Sequence, residues 1–421
     1  MHKDIAKLLK KEKINGLLVM DSSQDNPNFK FATQGARLRG YFLIRSTGKS
    51  SILYGDMERD NLPQIDGIKP VSYTELGNWL KKNDAINKKI KTISKKAQSA
   101  ATSSAVMVGA FLIKQKFKGT LALAGKVEAG FAVEFANVLN KFCKDVNVLL
   151  TSAASNILKM ARSTKSDEEI ALIQKSGKVT EGAIKKARDF LSSCYIKKGF
   201  VYNPQNKKIR LGDIRNIIEQ NLALGGMDCP ETPIVSQGAQ AAVPHNTGTD
   251  SNFVKAYESI VMDIFPRMTK NGYFFDTTRT ICIGKAPKEL KTMYDHVLKA
   301  QTAAIKKIKA GTRGCDVEAI VLDMFQKWDH PTLANTPGST IGFCHGLGHG
   351  LGLDLHEWPN VNSAWQKKLE PGSVVTAEPG LYYADKSIGI RIEDVIAIMS
   401  DGTVKNLCSG TKKLEILIPE K

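Results

Sequence analysis

The chain has 421 residues, 42% hydrophobic and 24% charged, with a formal net charge of +18. These values lie near globular averages and argue against disorder, and the length suggests two domains. Seven cysteines, at 143, 194, 229, 282, 315, 344 and 408, are scattered and never spaced CxxC, which argues against a disulfide frame or zinc cage and fits reduced cytoplasmic thiols.

The opening segment MHKDIAKLLKKEKINGLLVM interleaves lysines with apolar residues, which predicts an amphipathic helix running into a strand at Gly16–Met20 and no secretory leader. Short β-prone runs at Tyr41–Ile44, Ser51–Tyr54 and Leu121–Ala124, with helical spacing at Glu75–Lys82 and Gly130–Phe142, indicate an α/β domain. The best apolar run elsewhere, Ser104–Ile113, falls short of the ~20 residues of a membrane span. A soluble cytoplasmic protein with no membrane partner is expected. Ser166 with Glu169 is a capping box ahead of a long run of helical period to Asp189. It opens a second domain, so the domains are set at 1–155 and 156–421.

In the second domain, helices are expected near Ile209–Leu224, Lys288–Lys309 and Asp316–Trp328, and Tyr202–Lys208 is expected as a loop. Strands are expected at Ser259–Phe265, Tyr273–Ile283, Gly348–His356, Ser373–Ala377, Gly389–Met399 and Lys413–Ile418, an α+β pattern. The lysines are spread in pairs with few aromatics nearby, so a solvated surface is expected and a nucleic-acid partner is not.

Chemistry gathers near the C-terminal end. Asp263 and Asp276 lie on two β-prone runs thirteen residues apart, joined by a turn with Asn271–Gly272. Asp276, Thr278 and Thr280 share one strand face. Asp263 sits among Ile260–Met262 and Ile264–Phe265, where an unpaired carboxylate would be costly. His345 and His349 are four apart, but glycines at 346, 348, 350 and 352 make a helix improbable, each costing up to ~1 kcal/mol. A tight loop entering a strand fits better, with backbone close to a site. Asn360 stands where HExxH would need its second histidine after His356–Glu357, so that zinc motif is absent. Cys344 beside His345 would point to the opposite face of a strand and reads as filler. Glu378 ends the strand Val374–Ala377, and Glu393 lies two residues from Arg391, its expected ion-pair partner. Four carboxylates and one imidazole suit two divalent cations, Mn²⁺ above all, with Co²⁺, Fe²⁺ or Zn²⁺ compatible. Two such ions ~3.5–4 Å apart can activate one water for hydrolysis.

These motifs resemble the M24 metallopeptidases of pita-bread fold, which include aminopeptidase P, prolidase and methionine aminopeptidase. The resemblance runs from about residue 160 to 418, beginning with KSDEEIALIQKSGKVTEGA. It implies an α+β fold: a C-terminal pita-bread (creatinase/aminopeptidase-like) catalytic domain preceded by a smaller α/β creatinase-type N-terminal domain. It also implies that Asp263, Asp276 and Glu393 hold one metal, and Asp276, His349, Glu378 and Glu393 the other. The hairpin between the two Asp residues is two residues longer than is common in the family, and an even insertion preserves the strand faces.

The expected activity is that of an Xaa-Pro aminopeptidase acting on proline-containing peptides, with Xaa-Pro dipeptidase (prolidase) the close alternative. A non-catalytic pita-bread module binding protein or RNA is the third. By resemblance, Glu378 shuttles the proton, His345 and His356 position substrate and stabilise the oxyanion, His245 lines the pocket, Arg391 orients the acids, and the protein is a homodimer. His296 and His330 match nothing and are expected on the surface.

Overall fold

A computed structural model describes residues 2–22, 26–63, 65–96 and 99–421, in two compact units, Met1–Arg162 and Ser163–Lys421. The helix Ser152–Arg162 runs through the position expected for the domain boundary. In the first unit a mixed sheet is ordered Ile68–Ser72, Ser50–Tyr54, Arg39–Arg45, Gly16–Ser22, Gly119–Ala124, Val146–Leu149 among the described residues. Its central strand Gly16–Ser22 pairs antiparallel with Arg39–Arg45 and parallel with Gly119–Ala124. Leu18, Leu43 and Leu121 share one core with Phe111 and Phe135 of the helices Ala100–Lys114 and Ala129–Phe142. The apolar run Ser104–Ile113 belongs to the first of these helices, which is buried on most of its circumference, so its apolarity shows little periodicity.

The second unit contains two antiparallel-rich sheets, each backed by a pair of helices. The capping box at Ser166 and Glu169 forms as expected and starts the helix Asp167–Ser192. That helix and Leu211–Leu224 share a core with the sheet Ile234–Gln237, Ser259–Ile264, Thr277–Ile283, Glu415–Ile416. The helices Lys288–Lys307 and Gly314–Lys327 share a second core with the sheet Glu357–Val361, Gly348–Gly350, Val374–Ala377, Asp394–Ile398, Val404–Asn406. A separate hairpin, Gly380–Tyr383 with Ile388–Arg391, packs between them. The α+β expectation therefore matches the second unit.

Four expected strands are shorter or broken: Lys413–Ile418 is a strand only over Glu415–Ile416, and the other three change where the chain enters the site. Tyr273–Ile283 becomes a strand only from Thr277, because the amides of Phe274 and Phe275 bond outside any ladder to Gly352 and Pro266. Gly348–His356 pairs only over Gly348–Gly350, where the register shifts. A Cβ on Gly350 would lie 2.5 Å from the Glu357 carbonyl, so only glycine permits that approach. Gly389–Met399 splits into Ile388–Arg391 and Asp394–Ile398, which belong to different sheets and leave Glu393 at the break.

Candidate metal centre

Strand pairing sets the first two acids. Asp263 pairs with Thr278 across the ladder, so Asp276, two residues before Thr278, lies diagonally on the same face. Both strands are buried along their whole length, and Asp263 and Asp276 are only 9% and 4% exposed. The chain break after Arg391 delivers the third acid. Glu393 is 1% exposed, its amide bonds the Thr278 carbonyl at 3.1 Å, and its carboxylate accepts from the Thr278 hydroxyl at 2.8 Å.

The other sheet contributes His349 and Glu378. One hydroxyl ties them: Thr376 Oγ1 accepts from the His349 amide at 3.0 Å and donates to Glu378 Oε1 at 3.0 Å. The His349 ring donates from Nδ1 to the Gly350 carbonyl at 3.1 Å, leaving Nε2 3.2 Å from Glu378 and 3.6 Å from Asp276. Ligand atoms of Asp276, His349 and Glu393 all lie within 4.8 Å of one another. Thr376 and Thr278 are the supporting groups that sequence reading passed over. Thr278 had a signal, its shared face with Asp276, but nothing in the sequence marks Thr376.

Arg391 does not pair with Glu393 as expected. Its guanidinium bonds Asp263 at 2.5 Å and the Tyr382 hydroxyl at 2.7 Å, because the strand ends at Arg391 and Glu393 lies beyond the break, its carboxylate taken by the Thr278 hydroxyl. Tyr382 in turn bonds His345 Nε2 at 3.0 Å, and His345 Nδ1 bonds the Gly346 carbonyl at 2.8 Å. Both His345 nitrogens are thus engaged within the chain. His356 is exposed, its ring 4.2 Å from that of His349, and among the described residues no hydrogen bond engages its nitrogens. A cavity of about 510 Å³ brings together Asp263, Asp276, His349, Glu378 and Glu393, with His245, His345, His356 and Arg391 also on its wall. That volume falls within the ~300–1,000 Å³ of small-molecule sites.

The electrostatics call for cations. Burial, then the charges of Glu393, Asp263 and Glu378, push the Asp276 carboxyl well above the usual range, with Arg391 opposing. Burial, then Glu378 and Asp263, do the same to Glu393. At Glu378 burial opposes ionisation, but the His349 hydrogen bond and the charges of His349, His345 and Arg391 prevail and hold it low. Asp263 Oδ1, Asp276 Oδ1 and Glu393 Oε1 are buried with no hydrogen-bond donor among the described residues. A buried carboxylate oxygen without a partner costs several kcal/mol (roughly), and a multivalent cation removes that cost. The donor set therefore fits hard-to-borderline divalent ions.

His296 and His330 are not surface residues. His330 is buried and His296 half-buried; they bond each other at 2.9 Å, and His330 bonds the Tyr383 hydroxyl at 2.8 Å. The ring of His296 also stacks on Trp328. Their distance in sequence from Tyr383 concealed this cluster.

Residues 171–400, more than half of the chain, match the model of metallopeptidase family M24. The chain is 25% identical over 415 residues to the Xaa-Pro dipeptidase of Pyrococcus horikoshii, covering 98% of this chain and 97% of that one. Among solved structures it is similar to the Xaa-Pro dipeptidase of Bacillus anthracis (TM-score 0.74, 20% identity, 99% of both chains). It is also similar to the X-Pro aminopeptidase of Thermotoga maritima (TM-score 0.70, 20% identity, 98% of this chain and 100% of that one). These likenesses establish the pita-bread architecture. No described helix is long and apolar enough to cross a membrane.

Proposed function

The chain belongs to metallopeptidase family M24, and on that premise we propose that it is an Xaa-Pro dipeptidase, cleaving the bond before a C-terminal proline. The observation that carries the hydrolytic reading is the convergence of four carboxylates and His349 on one cavity, three of their buried oxygens having no donor among the described residues. The preference for dipeptides over the longer peptides of an aminopeptidase is supported by the similarity to the Pyrococcus horikoshii enzyme, which extends over nearly the whole of both chains.

Asp263, Asp276 and Glu393 would hold one cation, and Asp276, His349, Glu378 and Glu393 the other, with Mn²⁺ favoured by the oxygen-rich set. When bound, such a pair supplies Lewis-acid polarisation of the scissile carbonyl and a water of lowered pKa. Glu378, held ionised and aligned by Thr376 and His349, takes the proton of the attacking water. As the C–N bond breaks it delivers that proton to the proline nitrogen. His356, at the open side of the cavity, donates to the carbonyl oxygen as its negative charge grows. His345 holds the Tyr382 hydroxyl against Arg391, and Arg391 keeps Asp263 in place, while His245 contacts substrate at the rim. A cytoplasmic homodimer, with residues 1–155 as a creatinase-type N-terminal domain, completes the reading.

Steady-state kinetics on the Mn²⁺-loaded protein test it, comparing Ala-Pro and Leu-Pro with Ala-Pro-Gly. Dipeptides should be preferred in kcat/KM by roughly tenfold or more. Preference for the tripeptide would restore the aminopeptidase reading, and turnover of neither would sink both.

A further inference from the structure

The hairpin Tyr195–Lys197 and Phe200–Tyr202 lies far from the acids in sequence and has no part in the proposed chemistry. Its turn is Lys198–Gly199, both at positive φ (51° and 75°), the geometry of a tight two-residue hairpin in which Asn would be the favoured first residue. Two further extended segments extend the surface. Backbone bonds run from Val201 to Val254 (3.0 Å), from Ile209 to Val201 (3.0 Å) and from Val254 to Ile209 (3.0 Å).

Strand parity then sorts the side chains. Val201, Ile209 and Val254 point inward and are fully or almost fully buried in the core of this sheet. The outward positions are Phe200 and Tyr202, Lys208 and Arg210, Phe253 and Lys255, an alternation of aromatic rings and cations with no acid among them. Phe253 is 39% exposed and meets Phe200 edge-on at 6.5 Å. Lys208 Nζ lies 3.7 Å from the centre of the Phe200 ring and 4.6 Å from that of Phe253, and the Arg210 guanidinium lies 5.1 Å from Phe253. On the cross-strand side Tyr195 stacks on Tyr202 at 5.7 Å, and exposed Lys197 stands opposite Phe200. Lys255 pairs with Glu258 at 3.2 Å, whereas among the described residues Lys197, Lys208 and Arg210 have no acidic partner.

We propose that this face binds single-stranded nucleic acid, with bases stacking on Phe253 and Phe200 as Lys208 moves from the ring faces to a phosphate, and with Arg210 and Lys197 drawn to the same backbone. A β-surface carrying rings for base faces and cations for the backbone is the chemistry such ligands need, and it tolerates any sequence. Charge complementarity selects this occupant. A second copy seated face to face would bring Lys208, Arg210 and Lys197 against the same cations, and the Asp and Glu side chains of an acidic peptide offer no aromatic face to stack on the rings. The sequence conceals the platform because Phe253 is remote from the hairpin and the lysines alone look like a solvated surface.

Fluorescence anisotropy with labelled U12 RNA and dT12 DNA, titrated with the full chain over a range of salt, tests the assignment. Both should bind, with log–log salt slopes of about −0.7 per phosphate neutralised. Phe253→Ala should weaken binding by about 5- to 100-fold, and Phe253→Trp should retain it and show quenched indole fluorescence on titration. Lys208→Gln should flatten the salt slope, while the exposed pair Lys81→Ala/Lys82→Ala should leave binding unchanged. Circular dichroism confirms that each variant is folded.

No binding at low salt overturns the proposal. So does equal binding of poly-glutamate, or a Phe253→Trp fluorescence that the oligonucleotides leave unchanged, or a salt slope that Lys208→Gln leaves unchanged. Sedimentation that shows self-association abolished by Lys208→Gln would assign the face to a second copy and likewise overturn it.

Discussion

Asp394 follows Glu393 in the chain yet faces the other way. Its carboxylate meets Arg279 at 3.0 Å and also Lys412, while the Arg279 guanidinium bonds the Glu393 carbonyl at 2.6 Å. A framework ion pair thus fixes the backbone from which the proposed ligand projects. The neighbouring acids differ in what they lack: Glu393 Oε1 and Asp276 Oδ1 await a partner, and a cation is the partner that the site can offer. Asp276→Asn removes one charge from the shared position and should abolish turnover together with metal uptake, measured by elemental analysis after gel filtration. Full activity in that variant would remove Asp276 from the site. Thr376→Val keeps the shape but deletes both hydrogen bonds that join His349 to Glu378. Loss of such a supporting group should weaken metal affinity or activity by about 10- to 100-fold, read by metal titration, and the His349 amide left without its acceptor should lower stability by about 1–3 kcal/mol.

Elements carry these residues to the cavity, and one helix shows how tightly. Gly177 and Gly182 both lie inside the helix Asp167–Ser192, where glycine costs about 1 kcal/mol relative to alanine. At Gly182 nothing lies within 4 Å of an added Cβ, so Gly182→Ala should raise stability by up to about 1 kcal/mol. At Gly177 the new methyl would fall 2.4 Å from the ring of Phe275, the residue before Asp276. Overpacking of that kind costs about 1–3 kcal/mol and outweighs the helical gain, so Gly177→Ala should lower the urea midpoint and the activity together. A gain at both positions would show that the helix does not press on the Asp276 segment. The helix itself was legible in the sequence, because its capping box and 3.6-residue period are local signals. The ligands were legible for a related reason, since acids inside apolar runs are conspicuous. The break between Arg391 and Asp394 was not, because Ile388–Ile398 is apolar enough for one strand and only the two partner sheets divide it. The same blindness assigned Arg391 to Glu393 instead of Asp263, and placed His330 at the surface.

At the scale of the molecule, stability must depend on both metal and pH. Any cation that binds the folded centre and not the unfolded chain stabilises by mass action, so chelation should lower the thermal midpoint and Mn²⁺ should restore it. The His330 cluster adds a separate dependence. Burial, then the charges of His296 and Lys386, pulls His330 down to about 4, against 6.5 for an unperturbed imidazole. His296 is lowered in the same direction, by burial first and Lys299 second. A histidine with a depressed folded pKa binds its proton more readily when unfolded. Its contribution is therefore complete above about pH 6.5 and is lost as pH falls toward 4. The loss at pH 4.5 should be about 1–3 kcal/mol, since His330 is 9% exposed and little screened. Carboxylates titrate in the same range, so the comparison must be with a variant. His330→Phe removes the titrating ring, and urea unfolding of chelated protein at pH 7.5 and 4.5 should show a smaller acid loss in it than in the parent. Equal losses would mean that His330 takes up its proton without unfolding, and that its bonds to His296 and Tyr383 do not hold it neutral.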